Sequence, residues 1–117
     1  MDQNVLKEFM NFLKKEKYKG IVQELKLEYN TDEECPFIYL ASIKISKKYR
    51  CQGYGSAVMY DIIRLANVHH LEVRLYAMSI LGSDLKRLYA FYRKHGFVLV
   101  HHNNDGKFVY RPHKNIL

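Results

Sequence analysis

The chain has 117 residues, 48% of them apolar and 26% charged, which fits one compact globular domain over 1–117 and argues against a disordered or fibrous chain. Its two cysteines, Cys35 and Cys51, stand in no CxxC or metal-type spacing, so the sequence points to a reducing, cytoplasmic setting and away from a disulfide scaffold or a metal site. Nineteen Lys and Arg against twelve Asp and Glu leave a net charge of +7, which suits polyanionic partners such as nucleic acid, acidic protein or a phosphate-bearing cofactor, and equally serves solubility.

The opening "MDQNVLKEFMNFLKKEKYKG" lacks the apolar core of a signal peptide, and no stretch approaches the roughly 18 apolar residues of a membrane span. No membrane partner is expected. Leu6, Phe9, Met10 and Leu13 follow the i, i+3, i+4, i+7 rule, with lysines mostly off that stripe, which predicts an amphipathic helix over about 3–17 ended by Gly20. "IVQELKLEY" (21–29) and "FIYLASIKIS" (37–46) read as strands of an antiparallel hairpin around the polar turn "NTDEECP".

Val58, Met59, Ile62, Ile63, Leu65 and Ala66 mark a second helix over about 53–68, and the alternation in "LEVRLYAM" (71–78) a third strand. Leu81, Leu85, Leu88 and Tyr92 form the stripe of a third helix, with Ser83 placed to cap it, Asp84 suited to its positive end and Gly96 to its stop. "FVLVHH" and "KFVYRP" read as a closing hairpin with Asp105-Gly106 at its turn. The unit 37–78 calls for a right-handed crossover and a parallel strand pair within an otherwise antiparallel sheet. The fold class is therefore mixed α+β, with helices on both faces of a twisted sheet.

The most informative stretch is "KISKKYRCQGYGSAVM" (44–59), a cationic turn with two glycines between a strand and a helix. The first N–H groups of a helix lack internal partners and, with the helix dipole, attract an anion. Gly53 and Gly55 remove side chains that would hold a phosphate away, and they tolerate dihedrals that other residues avoid. Lys47, Lys48 and Arg50 add positive charge, so the turn suits a diphosphate. A P-loop is absent, and the dinucleotide fingerprint fails because position 58 is Val.

"RCQGYG" (50–55) fits the Q/R-x-x-G-x-G/A motif of the GNAT superfamily of N-acetyltransferases, and "IKISKKYRCQGYGSAVM" resembles that family's strand, loop and helix. "LYAFYRKHGF" (88–97) is similar to its late helix, and the element order from residue 21 agrees; the resemblance spans roughly 21–112. Three departures stand out. Cys51 occupies a place where Gly is common, a single helix precedes the first hairpin, and an Asn often found near the start of the late helix is not evident, with Ser83 or Asp84 in its place.

The resemblance implies acetyl-CoA as cofactor, bound where two parallel strands splay apart. Backbone groups of Ile43 to Ile45 would hold the pantetheine arm. The N–H groups of Arg50, Cys51, Gln52, Gly53, Tyr54, Gly55 and Ser56 would hold the pyrophosphate. An acceptor amine would attack the thioester directly, so Cys51 would not be a nucleophile. Tyr92 sits where the family's general acid lies; its other reading is a core tyrosine on the stripe with Leu85 and Leu88, and Tyr89 is the alternative one turn away. Glu24 and Glu28 alternate along the first strand and are candidates for the base or solvated strand residues. The His69–His70 and His101–His102 pairs read as surface.

With only one leading helix, the acceptor cleft is expected to be open, suiting a protein or other large substrate. The positive charge favours an acidic or nucleic-acid-bound acceptor protein, and a homodimer would be common for the family. The rival reading is a basic nucleic-acid-binding module, or a CoA-binding regulatory protein without catalysis, although Lys and Tyr are spread along the chain without a nucleic-acid-reading motif.

Overall fold

The computed structural model describes residues 1–31, 34–77, 85–100 and 106–112. Helix α1 spans Gln3–Phe12, capped by the Asp2 carboxylate, which accepts from the Val5 amide at 3.0 Å. One wider, π-helical turn, Leu13–Lys17, continues it and ends where the Tyr18 amide donates to Leu13 O at 2.8 Å. Leu6 and Leu13, on the predicted stripe, are buried.

Strands β1 (Val22–Asn30) and β2 (Phe37–Ile45) form the expected antiparallel hairpin. Helix α2 (Tyr54–His69), strand β3 (Glu72–Tyr76), helix α3 (Leu85–Lys94) and strands β4 (Val98–Leu99) and β5 (Lys107–Tyr110) complete the chain order. The sheet order is β1-β2-β3-β5-β4, with β2 and β3 parallel and every other pair antiparallel. The predicted parallel pair is present, and β4 and β5 pair antiparallel as in the predicted closing hairpin. Leu81, Ser83, Asp84, His101, His102 and Asp105 lie outside the described residues, and with them the cap and turn assigned to these positions.

Two features of β2 shape the space beside it. Leu27 faces Leu40 while Lys26 faces Ser42, so β2 carries one extra residue at this point, a β-bulge. Past the bulge the alternation is reset: Ile43 opposes Leu25, whose side chain is in the core. In addition, the parallel pairing with β3 covers only Phe37–Tyr39 against Glu72–Arg74. From Leu40 onward β2 is no longer paired with β3, and the two strands splay.

The register places Ile38, Leu40, Val73, Leu75, Phe108 and Tyr110 on one face of the sheet, and all are buried. Here α2 sends Val58, Met59, Ile62 and Ala66 into the core, and α3 sets Tyr89 and Tyr92 edge-on or tilted against Phe108. Phe108, fully buried, is the hub of that cluster. The end of α1 reaches α2, and Asn67 of α2 accepts from the Tyr110 hydroxyl at 2.9 Å. The mixed α+β class stands. Among the described residues α1, α2 and α3 all contribute to this core. The opposite face carries Glu28, Tyr39, Arg74, Tyr76 and Lys107 together with the buried Phe37 and Val109.

At the free edge of β1, α1 lies alongside the strand. The Leu27 amide donates to Met10 Sδ at 3.3 Å, and Gln3 Nε2 donates to Tyr29 O at 3.0 Å.

Candidate active site

The splay leaves a cleft of about 490 Å³ between β2 and β3, floored by Leu40, Ile43, Ile45, Leu75 and Ala77 and walled by Gly55 of α2 and Leu88, Phe91 and Tyr92 of α3. The bulge is what brings Ile43 and Ile45 into it. Because pairing with β3 has ended, this part of β2 has no strand partner on the cleft side among the described residues. An extended amide-bearing chain could hydrogen-bond there as an added strand would.

At one end of the cleft stands the start of α2. Gly53 is its cap residue, in the left-handed region at φ 86°, and a Cβ there would meet nothing within 4 Å. No described atom therefore crowds the cap of the helix at Gly53. Gly55 is helical, and a Cβ would touch only Phe91 Cζ at 3.8 Å. The two glycines thus have different grounds: Gly53 supplies the dihedral, and Gly55 keeps bulk out of the cleft. Cys51 also has positive φ, 63°, a conformation that glycine adopts without strain and cysteine does not.

Side chains fasten this loop. Arg50 Nε donates to Ile45 O at 3.1 Å, and Gln52 Nε2 to Lys48 O at 3.2 Å, so both turn back along the loop instead of reaching outward. Tyr54 points inward, edge-on to Tyr18 and Tyr49 at ring distances of 6.4 and 5.9 Å. Beneath it Tyr18 donates to Asp61 Oδ2 at 2.7 Å, and Lys17 reaches Asp61 Oδ1 at 2.9 Å. Burial, then the bond to Asp61, raise the Tyr18 pKa; the bond to Asp61 and its charge raise that of Lys17. This cluster ties α1 to α2 directly behind the loop. Sequence reading missed it, although Asp61 interrupts the apolar run "VMYDII" and was the signal available. Ser56, in the first turn of α2, lies 3.2 Å from His95 Nε2, a neighbour that sequence reading also missed.

Tyr92 lines the cleft with Leu88 and Phe91, its ring against Phe91, Phe97 and Phe108. Burial raises its pKa, and its hydroxyl has no hydrogen-bond partner among the described residues. The residue thus has a ring in the core and an edge on the cleft. Tyr89 is not in the cleft wall; it packs edge-on to Phe108 and near Gly106.

A second hollow of about 440 Å³ opens on the other face of the sheet, lined by Glu28, Asn30, Arg74 and Lys107 among others. It shares Tyr39 and Tyr76 with the cleft, and these two rings meet edge-to-face at 6.2 Å. Glu28 lies on its rim, whereas the carboxylate of Glu24 accepts from Ser42 at 2.8 Å. His69 and His70 lie at the end of α2, away from the cleft lining.

The sequence model of the Acetyltransferase (GNAT) family matches residues 15–97. A search of the curated proteins found no match. Among solved structures, that of AtaTR bound with acetyl-CoA is similar with a TM-score of 0.54 at 15% identity, over 74% of this chain and 55% of that one. The KacTA–DNA complex gives 0.54 at 16% identity over 90% and 79%. A histone acetyltransferase HPA2 and related acetyltransferase from Corynebacterium glutamicum gives 0.52 at 23% identity over 79% and 50%. The chain spans little more than half the length of the first of these. No described helix is long and apolar enough to cross a membrane.

Proposed function

The chain belongs to the acetyltransferase (GNAT) family, and from that premise we propose that it moves an acetyl group from acetyl-CoA to an amine on a protein or other large acceptor. The observation that carries this reading is the junction of an open strand edge, an apolar cleft and a helix N-terminus left uncovered by Gly53. Those three surfaces match, in order, the amide-bearing arm, the thioester end and the diphosphate of one elongated ligand. A structure of this fold, that of AtaTR, is bound with acetyl-CoA.

The residues divide the work. Backbone groups from Ile43 to Ile45 bind the arm, and the N–H groups from Cys51 to Ser56, Gln52 and Tyr54 included, face the diphosphate; the Arg50 N–H, assigned to it from the sequence, instead donates to Lys47 O at 3.4 Å. Acetyl-CoA supplies the activated acetyl group, so that a C–N bond to the acceptor forms as the C–S bond breaks. Tyr92 holds its proton through the neutral range, because burial disfavours the phenolate, and gives it to the departing sulfur. The acceptor amine arrives from the second hollow, past Tyr39 and Tyr76, and the Glu28 carboxylate on that rim takes its proton directly or through water. The hollow is open, which suits one side chain presented by a larger molecule; the net charge of +7 favours an acidic or nucleic-acid-bound acceptor. The setting is cytoplasmic, with a homodimer as the assembly to look for.

Calorimetric titration with acetyl-CoA tests the reading. Wild type should bind saturably, and Gly53→Glu should abolish binding: a Cβ at this position meets no neighbour within 4 Å, yet the new side chain sets a carboxylate over the helix start. The left-handed backbone there costs a non-glycine residue about 1–2 kcal/mol, so circular dichroism verifies that the variant is folded. No binding at millimolar acetyl-CoA refutes the proposal and moves the basic nucleic-acid-binding reading to the front.

A further inference from the structure

His95 lies 39 residues from Ser56 in sequence and 3.2 Å from it in space, Nε2 to Oγ, so the end of α3 is joined to the first turn of α2. The ring is held in place rather than free to swing. It sits against Phe91 at 4.8 Å between centroids, and the His95 amide donates to Tyr92 O at 3.1 Å. Phe91 in turn borders Gly55 and forms part of the cleft wall. An imidazole is thereby fixed behind one hydroxyl at the mouth of α2.

What that contact does depends on which partner holds the proton. If Nε2 is bare, it accepts from the Ser56 hydroxyl, whose oxygen then offers only lone pairs to the space over the helix, and those repel an anion. If Nε2 carries a proton, it donates to Ser56 Oγ, and the hydroxyl proton is free to point outward. An anion over α2 favours the second arrangement, and favours most the form of the ring that also bears a positive charge.

We propose that His95 is a positioning residue of the diphosphate seat: it orients the Ser56 hydroxyl as a donor to the anion, and cofactor binding is coupled to protonation of its ring. This rests on the acetyl-CoA reading above. In the free protein burial first, and the charge of Lys94 beside it, lower the ring's pKa and so favour its neutral form. From α2 it meets the uncharged Ser56, and from its own helix the ring of Phe91; no acidic side chain is among its described contacts. Binding of a diphosphate supplies the negative charge that the free site lacks, so the ring takes up a proton as the ligand binds.

The test uses dephospho-CoA, which keeps the diphosphate but lacks the 3′-phosphate, a group that itself titrates near pH 6. Calorimetry at pH 6.0 and 8.0, in two buffers of different ionisation heat, gives affinity and protons bound in one series. Wild type should bind about five- to tenfold more tightly at pH 6.0 and should take up a fraction of a proton near pH 7, a tenfold change being what one charge-assisted bond supplies. His95→Gln keeps an N–H donor for Ser56 and cannot titrate; it should bind as wild type does at pH 8.0, with no pH dependence and no proton uptake. Pantetheine, without the diphosphate, should show no dependence with either protein. A flat wild-type profile with no proton uptake, or a slope that survives His95→Gln, overturns the inference while leaving the acetyl-CoA reading intact. Failure of wild type to bind CoA or dephospho-CoA at either pH overturns both.

Discussion

Replacing Tyr92 by Phe removes one oxygen atom from the cleft and almost nothing from the core. The ring contacts with Phe91, Phe97 and Phe108 are made by carbon atoms and persist in the variant. The hydroxyl bonds to no described residue, so its loss leaves no donor or acceptor stranded, and the stability change should stay below about 1 kcal/mol. The chemical effect is of another size. A positioned general acid contributes about 10²–10⁴ in rate, or about 2.7–5.5 kcal/mol of barrier. Tyr92→Phe should therefore lose at least about a hundredfold in kcat for acetyl transfer, with acetyl-CoA affinity and thermal midpoint close to those of wild type. The assay is release of free CoA thiol in the presence of an amine acceptor, paired with calorimetry for binding. A variant with kcat within about twofold of wild type would remove Tyr92 from the chemistry and leave it a core ring. A parallel fall in binding and thermal midpoint would also refute the reasoning, since it would show the hydroxyl serving the structure.

Other perturbations separate the fold from the site. Cys51→Gly should stabilise the loop by about 1 kcal/mol through relief of its left-handed backbone, raising the urea midpoint without loss of cofactor affinity; a lower midpoint would show that the thiol makes a contact of its own. Asp61→Ala leaves the buried Tyr18 hydroxyl without its acceptor and should cost about 1–3 kcal/mol in urea unfolding, whereas Asp61→Asn, which can still accept, should cost less. Phe108→Ala empties the hub of the core and should cost about 3–5 kcal/mol in urea unfolding, a large share of the stability of a domain this small; a loss below about 1 kcal/mol would show that the ring is not the hub. The Tyr18 and Tyr92 phenols are both held above their ordinary value, so the folded state disfavours their ionised forms. Their contribution to stability is whole below pH about 10 and is lost as pH rises beyond it; Tyr92→Phe should flatten that alkaline decline in denaturation midpoints.

What could be read from the sequence was whatever depends on neighbours in the chain. Leu6 and Leu13 on one stripe, the alternation of β1, and the glycine start of α2 are all local effects, and each was found where its pattern placed it. The bulge at Leu40–Ser42 was not legible, because "LASIKI" alternates well enough in either register, and only pairing with Lys26 and Leu27 reveals the slip. The same limit applies to the helices. Periodicity shows that a helix has an apolar face but is silent about which side of the sheet that face meets. Asp61 with Tyr18, and Ser56 with His95, are joined across 43 and 39 residues, distances over which no local pattern carries information. Tyr92 is the intermediate case: the stripe placed it on the inner face of α3, while its exposure to the cleft comes from the splay of β2 and β3.

The position of α1 beside β1 bears on how the chain behaves in company. β1 is nine residues long and stands at the edge of the sheet, where its outward amides and carbonyls would otherwise be a template for another strand. Met10 and Gln3 occupy two of those groups, at Leu27 and Tyr29, and the body of the helix covers the strand between them. Any cut or substitution that loosens α1 would therefore do more than trim the core. It would bare a long pairing edge on every copy, so that the first sign of a damaged N-terminal helix should be concentration-dependent self-association, arriving before any loss of the distant cleft.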